Sequence, residues 1–476
     1  MKLLKQTYSR CLECFDSVPA SVISKEVNGR EQVFLARTCP THGRHETLIS
    51  SDARFYWLSH GSGQPDSCCS SGAPCAQPAA GDQIGFLGRN ATLNLIPEDP
   101  QPFQKLSTCL ALIEIVDSCN LACPTCFADS PVGTGDKIQA HPREEIQNRI
   151  QSVIDRKGSI EILQLSGGEP TLHPEFFELV DWCHENPGID YLLVNSNGVR
   201  LAKDEAFGQE LAERVSYGHF QFYLQFDGTE LAGQQSLRGG DLRALKKQAI
   251  ERAGELNIPM TLAMTVIPEN VDQLWDTVQF GLRYDHIRGV SFQPMFGTGR
   301  SIDGARLNRL NTADIILGLV DQSSSGVSYE DFTPLPCGDP NCATIGYLLK
   351  TEEGPKSISD FIDFKTLQGF LSDRVRYSLD DLAKCGCESE PLGELLHQLE
   401  MDERSTFRLF IKPFMDAEDW DQDRIDRCCT HVIRPDGALD SFCRYYFHGG
   451  AALYQKGLSA LASDSEITTQ INTDKH

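Results

Sequence analysis

The sequence predicts an α/β fold: a partial (βα)6 barrel with a small cysteine-rich module before it and a second cysteine-rich domain after it. Six apolar, strand-like runs begin near residues 110, 160, 191, 220, 260 and 289, and helix-like segments separate most of them. Polar motifs directly follow several runs, at the strand ends where parallel barrels place their chemistry. We therefore predict three parts: a metal-binding module and linker at 1–108, the barrel at 109–300, and the C-terminal domain, with a polar tail, at 301–476.

The individual elements follow from local patterns. Strands are predicted at 110–116, 160–165, 191–194, 220–224, 260–267 and 290–295, and helices at 175–185, 242–256 and 271–284. In the N-terminal module, alternating apolar residues within 21–37 flank Asn28-Gly29, which predicts a β-hairpin.

Three cysteines occupy one short loop after the first barrel strand. Cys119, Cys123 and Cys126 form a C-x3-C-x2-C pattern. A cubane iron–sulfur cluster normally takes four cysteine ligands, so a loop with three leaves one iron open. Structural zinc prefers four closed ligands, which makes zinc the weaker alternative.

Further motifs follow the next three strands. Gly167-Gly168-Glu169-Pro170 follows the second, Asn195-Ser-Asn197-Gly follows the third, and Gln225-Phe-Asp227-Gly ends the fourth, with Arg238 shortly after. In this order, the motifs and the cysteine loop resemble the radical S-adenosylmethionine (SAM) superfamily. The resemblance implies that the three cysteines are catalytic ligands of a [4Fe-4S] cluster and that SAM chelates its open iron. It also implies cofactor-binding roles for the following residues: Gly167, Gly168, Glu169, Pro170, Asn195, Asn197, Gln225, Asp227 and Arg238.

The N-terminal module carries a candidate metal site of its own. Cys11, Cys14 and Cys39 suggest a zinc-ribbon or rubredoxin-like centre. His42 is the candidate fourth ligand for zinc, and a later cysteine is the candidate for a mononuclear iron. Cys68, Cys69 and Cys75 have two interpretations, as incidental thiols in a linker or as further ligands. Cys109, at the start of the first barrel strand, is either a core residue or a ligand of the same metal. Cys183, in a helix-like run, reads as a buried small hydrophobe.

The C-terminal part contains seven more cysteines, predicted as metal ligands: Cys337, Cys342, Cys385, Cys387, Cys428, Cys429 and Cys443. The turn at Pro435-Asp436-Gly437 is expected to fold Cys443 back toward Cys428 or Cys429. The pattern resembles the extensions of radical SAM enzymes that hold one or more auxiliary [4Fe-4S] clusters. A structural zinc is the alternative.

The overall order of motifs resembles the radical SAM group that includes archaeal tetraether lipid synthase, whose members are often labelled as pterin-modifying methylases. The resemblance implies reductive cleavage of SAM, hydrogen abstraction from an unactivated C–H bond, and carbon–carbon coupling of lipid chains. The sequence departs from the group at 67–75, where the usual cysteine spacing is absent. Two alternatives stay open: modification of a pterin-like small molecule, and a peptide-modifying maturase. An electron-transfer or iron-sensing protein is disfavoured because the motifs are intact.

A lipid substrate would require an apolar barrel mouth. The candidates on or beside the late strands are Met260, Met264, Phe292, Met295 and Phe296, of which half or more are expected to be core.

Composition limits the partners. With 43 basic and 67 acidic residues, the 476-residue chain has a formal charge of −24, which argues against nucleic acid or an anionic membrane surface as an electrostatic partner. No apolar run is long enough to span a membrane and no signal-peptide core is evident, so we expect a cytoplasmic location. There, 18 cysteines indicate metal sites more than disulfides. The expected partners are a small-molecule or lipid substrate, with peripheral membrane contact in the lipid case, and an electron donor such as flavodoxin or ferredoxin.

Overall fold

Two separate β-sheets organise the chain. The computed structural model describes residues 1–57, 108–215, 218–301, 309–324, 326–334, 339–360 and 405–449. Within these ranges the strands form a four-stranded antiparallel sheet at the N-terminus and a twelve-stranded sheet that contains the barrel. Among the helices so described, none is both long and apolar enough to cross a bilayer.

The N-terminal sheet is a meander of neighbouring strands. Its members are β1 (Lys2–Arg10), β2 (Ser17–Val27), β3 (Arg30–Cys39) and β4 (Gly43–Ser50). Asn28 and Gly29, between β2 and β3, have φ angles of 53° and 79°. A two-residue type I′ turn needs positive φ at both positions, which is why Asn-Gly favours it. The predicted hairpin is confirmed.

Six parallel strands form the centre of the large sheet, in the order predicted. They are β5 (Leu110–Val116), β6 (Leu163–Gly167), β7 (Leu192–Ser196), β8 (Phe220–Gln225), β9 (Met260–Val266) and β10 (Ile287–Pro294). Each pairs in parallel with the next along the chain. The strand ends differ from the predicted ones by a few residues, and the α/β fold class is confirmed.

Helices connect these strands on the outside of the sheet. They are α1 (Arg143–Lys157), α2 (Phe176–Glu185), α3 (Val199–Lys203), α4 (Glu205–Val215), α5 (Leu231–Arg238), α6 (Arg243–Glu255), α7 (Leu274–Leu282) and, after β10, α8 (Thr312–Gln322). The predicted helix at 271–284 begins as a 3-10 turn, Val271–Gln273, before α7. The helices at 175–185 and 242–256 lie within a residue of their predicted bounds.

The C-terminal segment adds strands to both edges of the barrel sheet. Its elements are β11 (Thr333–Pro334), β12 (Thr344–Thr351), β13 (Gly354–Ser357), β14 (Thr406–Ile411), α9 (Gln422–Asp426), β15 (Thr430–Ile433), β16 (Leu439–Ser441) and α10 (Phe442–Phe447). Strand β14 pairs in parallel with β10, and β15 pairs in parallel with β5. The division of the chain at residues 109 and 301 stays a prediction, while the sheet itself runs through both parts.

The two edges approach each other across the barrel. The Nζ atom of Lys412, directly after β14, donates to the Oγ1 atom of Thr430, the first residue of β15, at 3.0 Å. The loop between β14 and α9 thus returns the chain from one edge of the sheet to the other.

The N-terminal sheet packs on that same loop. The Arg37 guanidinium is buried and donates to the carbonyl oxygens of Ala417, at 2.6 Å, and Glu418. Lys5 forms an ion pair with Asp421 at 2.6 Å. These contacts hold the N-terminal module against residues 417–421, which lie about 380 or more positions later in the chain.

Candidate active site inside the barrel

A cavity of about 690 Å³ runs along the inside of the barrel. At one end it is lined by the cysteine loop and the residues that follow the parallel strands. At the other end it reaches His219 and Pro259, which precede β8 and β9. The cysteine loop and the motifs that follow β6, β7 and β8 therefore all contribute residues to the lining of one cavity.

The three loop cysteines all line this cavity. The backbone of Cys119 is held by Pro131 and Gly133 through hydrogen bonds of 2.8 and 2.9 Å. Burial, more than the nearby acidic groups, raises the pKa of Cys119 to about 11. Three thiols on one loop facing a cavity fit the donor set of a cluster with one open iron. Their ligand roles stay predictions.

Arg300 holds the cysteine loop from behind, and the sequence patterns did not reveal it. Its backbone exchanges hydrogen bonds of 2.7 and 2.9 Å with Cys126. Its side chain donates to the carbonyl oxygen of Cys123 at 3.0 Å and forms an ion pair with Asp129 at 3.0 Å. Arg300 is therefore a positioning residue for two of the three thiols.

The Gly167-Gly168 pair packs directly on the strand that leads to the cysteines. A Cβ atom at Gly167 would lie 2.1 Å from the carbonyl oxygen of Val116, and one at Gly168 would lie 2.2 Å from that of Ser118. Gly167 also has φ of 119°, which L-residues rarely adopt. Both glycines line the cavity, so their backbone is available to a bound cofactor.

The Glu169 carboxylate is bound by the protein itself. It accepts hydrogen bonds from the Oγ1 atom of Thr171 at 2.6 Å, the Oγ atom of Ser196 at 2.8 Å and the backbone N–H of Asn197 at 2.8 Å. Burial raises the pKa of Glu169, and these hydrogen bonds oppose the rise. Glu169 thus joins two of the predicted motifs. Pro170 begins a buried 3-10 turn and is absent from the described cavity lining.

The two predicted asparagines have different surroundings. Asn195 lines the cavity and donates to the Oγ atom of Ser166 at 3.3 Å. Asn197 donates to the Oδ1 atom of Asn120 at 2.6 Å and lies 3.7 Å from the Sγ atom of Cys119. Asn197 therefore ties the third strand end to the cysteine loop.

Asp227 and Arg238 form a buried, two-pronged ion pair. The guanidinium donates to the two carboxylate oxygens at 2.7 and 2.9 Å. Burial would lower the pKa of Arg238, but Asp227 outweighs it and the pKa is raised. Arg238 lines the cavity beside Cys123, whereas Asp227 is fully buried behind it. Asp227 consequently acts on the cavity through Arg238.

Lys246 is a second residue that the sequence analysis missed. It is fully buried on α6, and its Nζ atom donates to the carbonyl oxygen of Asn197 at 2.6 Å and to the Oε1 atom of Gln225 at 3.2 Å. Burial lowers its pKa to about 8. Gln225 also lines the cavity, as predicted for a cofactor contact. The signal was present: Lys246 lies on the buried face of its helix with Ala249, Ile250 and Ala253.

The expected apolar mouth is only partly observed. Met295 and Phe296 line the cavity, but Met260, Met264 and Phe292 are fully buried and are absent from the described lining. On β9 the cavity side carries Thr261, Ala263 and Thr265, so the two methionines belong to the alternate, core-facing set. Met260, Met264 and Phe292 therefore belong to the core, in agreement with the expectation that half or more of the five candidates would do so.

The N-terminal candidate metal site is complete in its donors. The Sγ atoms of Cys11, Cys14 and Cys39 and a ring nitrogen of His42 all lie within 4.8 Å of one another. The donors come from two turns, one after β1 and one between β3 and β4. Three thiols and one imidazole form a closed four-ligand set of the kind that structural zinc prefers. Cys68, Cys69 and Cys75 lie outside the described residues.

The C-terminal cysteines lie near the place where the sheet edges approach. Cys342 precedes β12, Cys428 and Cys429 precede β15, and Cys443 lies on α10. The β15–β16 hairpin returns Cys443 toward Cys428, as predicted. The charges of Cys342 and Cys428 act on Cys443, and the charge of Cys342 acts on Cys428. Burial raises the pKa values of Cys428 and Cys443.

The remaining cysteines have mixed positions. Cys429 lines the barrel cavity, and its carbonyl oxygen accepts a hydrogen bond from the backbone N–H of Cys109 at 3.1 Å. Cys183 is buried in the core on α2, as expected. Cys337, Cys385 and Cys387 lie outside the described residues, so their predicted ligand roles stay predictions.

Comparison with known proteins agrees with this geometry. Residues 113–281 match the Radical SAM superfamily model, and residues 3–51 match the HMPTM N-terminal zinc ribbon domain. The chain is 24% identical to 7,8-dihydro-6-hydroxymethylpterin dimethyltransferase of Methanocaldococcus jannaschii over 93% of each chain. It is 26% identical to the mycofactocin maturase of Mycolicibacterium smegmatis over 36% of this chain and 41% of that protein.

A solved structure gives a looser likeness. Streptococcus suis SuiB bound to S-adenosylmethionine superposes with a TM-score of 0.34 at 16% identity, over 46% of each chain. The assignment therefore depends on the family models and the site, in which three thiols, a glycine pair and an asparagine contact surround one cavity. Residues 113–281 are thus a radical SAM domain and residues 3–51 an HMPTM-type zinc ribbon, and the protein is a radical SAM enzyme, homologous to a methyltransferase.

Proposed function

We propose that this enzyme methylates a dihydropterin, or a closely related polar heterocycle, inside the barrel. The observation that carries the proposal is the polarity of the strand residues in the middle of the cavity. Amide and hydroxyl side chains face it from β6, β8, β9 and β10: Gln164, Gln221, Tyr223, Thr261, Ser291 and Gln293. They supply both donors and acceptors.

Part of this hydrogen-bonding capacity is unused. Gln164 is 8% exposed and lines the cavity, and its amide has no hydrogen-bond partner among the described residues. Gln293 donates to the hydroxyl of Tyr223 at 2.8 Å, and among the residues described none donates to its own carbonyl oxygen. Covering such groups with an alkyl chain would cost about 1–3 kcal/mol each, because their hydrogen bonds to water would be lost. A pterin ring carries donors and acceptors along its edge and can replace that water.

The comparisons support the same substrate class. The Methanocaldococcus jannaschii relative, which is named for dimethylation of a hydroxymethyl-dihydropterin, aligns over 93% of each chain. The alignment thus extends well beyond the 113–281 match that many radical SAM enzymes share. Lipid-chain coupling, which we expected first from the sequence, has no comparable support.

Different residues of the barrel suit the separate tasks that this reaction requires: holding the cysteine loop, placing a cation beside it and orienting the substrate. With its cluster and SAM bound at the cysteine loop, the site would supply a carbon radical capable of removing hydrogen from a C–H bond. Arg300 and Asn197 would keep the loop in place, Arg238 would present a cation beside Cys123, and the strand amides would orient the heterocycle. As part of the proposal, zinc occupies the N-terminal site, the C-terminal cysteines hold an auxiliary cluster, and flavodoxin or ferredoxin is the reductant.

The overall reaction replaces a hydrogen atom on carbon by a methyl group. The hydrogen leaves in 5′-deoxyadenosine. The methyl group comes from a second SAM, which leaves as S-adenosylhomocysteine, and the reductant supplies two electrons. To test this, the anaerobically reconstituted enzyme is incubated with dithionite, methyl-deuterated SAM and 6-hydroxymethyl-7,8-dihydropterin, and the pterin is analysed by mass spectrometry. We expect one or more labelled methyl groups in the pterin.

Two variants make this test specific. Cys126→Ala should abolish both 5′-deoxyadenosine and methylated pterin, whereas Cys183→Ala, which removes a buried thiol outside the site, should retain both. If wild-type enzyme cleaves SAM but the pterin stays unlabelled, the proposed substrate or the methyl transfer is wrong. Labelling of an isoprenoid lipid or a short peptide in parallel reactions would identify the alternative class.

A further inference from the structure

We propose that the end of the cavity farthest from the cysteine loop binds an acidic group of the substrate, a phosphate ester or a carboxylate, with Arg408 as its principal contact. The inference rests on the proposed function for the identity of the rest of the substrate. It concerns a part of the barrel in which neither the family motifs nor the predicted ligands lie.

The charge of the cavity is opposite to that of the chain. The sequence has a formal charge of −24. Among the described residues that line the cavity, Glu169 is the one carboxylate, and there are five cations: Arg238, Arg288, Arg300, Arg408 and Lys412. Glu169 is already bound by hydroxyl and N–H donors. A cationic cavity in an acidic protein indicates a ligand that carries negative charge.

Not all of these cations are available to a ligand. Arg238 is paired with Asp227, and Arg300 is paired with Asp129. Lys412 donates to Thr430 and lies beside the C-terminal cysteines, where it lowers the pKa of Cys429 against the effect of burial. Arg288 donates to the carbonyl oxygen of Asp285 at 3.5 Å. Arg408 is the lining cation for which the described residues provide only an amide oxygen, that of Gln221.

Arg408 lies on β14, next to Gly289 of β10. Among the described residues, its guanidinium makes one hydrogen bond, from Nη2 to the Oε1 atom of Gln221 at 3.3 Å. No carboxylate lies within ion-pair distance of it in the part of the chain that the structure describes. A guanidinium has five N–H donors, and leaving most of them without acceptors in a partly buried cavity is costly unless water or a ligand anion binds there.

The neighbouring residues suit an anion. Arg288, close to Arg408 on the adjacent strand, also lines the cavity, as do His219 and Tyr191 at the same end. Two guanidinium groups can bind the oxygens of a phosphate or carboxylate in a forked geometry that gives strong, charge-assisted hydrogen bonds. The amide of Gln221 orients Arg408 toward this end.

The position also limits where the acidic group lies in the substrate. Arg408 is level with Gly289, and the cysteine end of the cavity is level with Pro294, five residues further along β10. At about 3.3 Å per residue the two ends are about 17 Å apart. The carboxylate of SAM, which is expected at the cysteine loop, would lie at the opposite end of the cavity from Arg408 and cannot be the group that Arg408 binds. The acidic group and the reacting carbon must therefore lie at opposite ends of the substrate.

Binding measurements on the reconstituted holoenzyme in the presence of SAM test the proposal. The probes are 6-hydroxymethyl-7,8-dihydropterin, its phosphate ester, inorganic pyrophosphate and glycerol 1-phosphate, each titrated calorimetrically. We expect the wild-type protein to bind the phosphate ester at least about tenfold more tightly than the neutral pterin. Arg408→Gln should remove that preference and leave affinity for the neutral pterin within about twofold.

Further variants separate charge from structure. Arg288→Gln should weaken the preference without disturbing the Gln221 contact, and Arg408→Lys should retain part of it. The control, Arg283→Gln, removes the same charge from an exposed position after α7 and should change nothing. If the Arg408→Gln protein does not fold, the phosphate-ester preference of the Arg288→Gln and Arg408→Lys proteins tests the subsite instead.

The outcomes for the subsite and for the proposed substrate are distinct. Equal affinity of wild-type protein for the phosphorylated and neutral pterins would overturn the subsite and leave the pterin proposal intact. Arg408-dependent binding of pyrophosphate or glycerol 1-phosphate, with no binding of either pterin, would support the subsite and reject the pterin. In that case the glycerol 1-phosphate arm would point to a lipid headgroup. A preference that survives Arg408→Gln and Arg288→Gln would also overturn the assignment.

Discussion

The N-terminal metal donors and the C-terminal cysteines differ in how far apart along the chain their members lie. Cys11, Cys14, Cys39 and His42 come from two turns of one small sheet, and their donor atoms lie within 4.8 Å of one another. Cys342, Cys428 and Cys443 come from segments separated along the chain. Cys342 and Cys443 contact groups outside their own turns, the Arg424 guanidinium and the backbone N–H of Met415. A site of the first kind needs only its hairpins, whereas one of the second kind needs the barrel to be assembled.

Arg424→Met should have the largest effect, because it removes the cation around which the C-terminal site is arranged. Arg424 donates to the carbonyl oxygen of Asn341 at 3.1 Å and lies 3.8 Å from the Sγ atom of Cys342. Asp339 keeps its ion pair with Arg427, but Cys342 and the carboxylates of Asp419 and Asp421 lose the charge of Arg424, at a cost of about 3–5 kcal/mol. Iron analysis and urea unfolding should show reduced iron and stability. Unchanged zinc would support the independence of the N-terminal site, and unchanged iron would contradict the role given to Arg424.

His42→Ala is the corresponding change at the N-terminal site. It opens a closed four-ligand set, so we expect loss of most bound zinc while the iron content is retained. Metal analysis by mass spectrometry measures both, and His45→Ala, on β4 six residues after Cys39, serves as the control. A loss of iron together with zinc in the His42→Ala protein would show that metal binding in the C-terminal region depends on the N-terminal site.

Arg37→Met tests the link between the two regions. The buried guanidinium donates to the Ala417 and Glu418 carbonyl oxygens, so its removal leaves both acceptors unsatisfied and should cost about 2–3 kcal/mol. Hydrogen exchange should rise in residues 416–423. Arg44→Met, which removes an exposed arginine from the same sheet, should leave exchange there unchanged. The prediction fails if both variants behave alike.

Glu114→Gln should give the smallest effect, visible as a change in pH dependence. Glu114 accepts hydrogen bonds from Tyr445 and Tyr446 at 2.8 and 2.9 Å, joining the strand before the cysteine loop to α10. Burial raises its pKa, and the two phenols oppose the rise. The folded state therefore keeps the proton longer than the unfolded state, so this group's contribution to stability is lost as pH rises above the unfolded value near 4.5.

Unfolding of wild type and Glu114→Gln across that pH range measures the difference. The variant should show a flatter decline, because its amide does not titrate. Parallel curves would mean that other groups determine the slope.

Local patterns predicted a large part of this molecule. Strand periodicity located the six central strands, and Asn28-Gly29 located the hairpin. The short motifs located the polar residues near the cysteine end of the cavity, among them Glu169, Asn195 and Asn197. Each of these features depends on residues close together in sequence, where propensity and turn chemistry act directly.

The features that could not be predicted from the sequence depend on contacts between segments that are distant along the chain. Arg300, Lys246 and Arg408 are single basic residues without a motif, and their partners lie on other elements. Apolar character alone did not separate the core methionines of β9 from the cavity-lining Met295, because it does not say which of the two faces of a strand points to the cavity. Short runs such as Thr430–Ile433 gave no sign of pairing with β5, which lies more than 300 residues earlier.

The strands at both edges of the barrel also set an order of events during synthesis. When β10 leaves the ribosome, all six central strands are available, but β15 is complete only at residue 433, roughly 140 residues later. At about 5–20 residues per second this delay is on the order of 10 s. Throughout that interval β5, the strand that leads into the cysteine loop, is an unpaired edge of the nascent sheet, and it gains its neighbour only when β15 is complete.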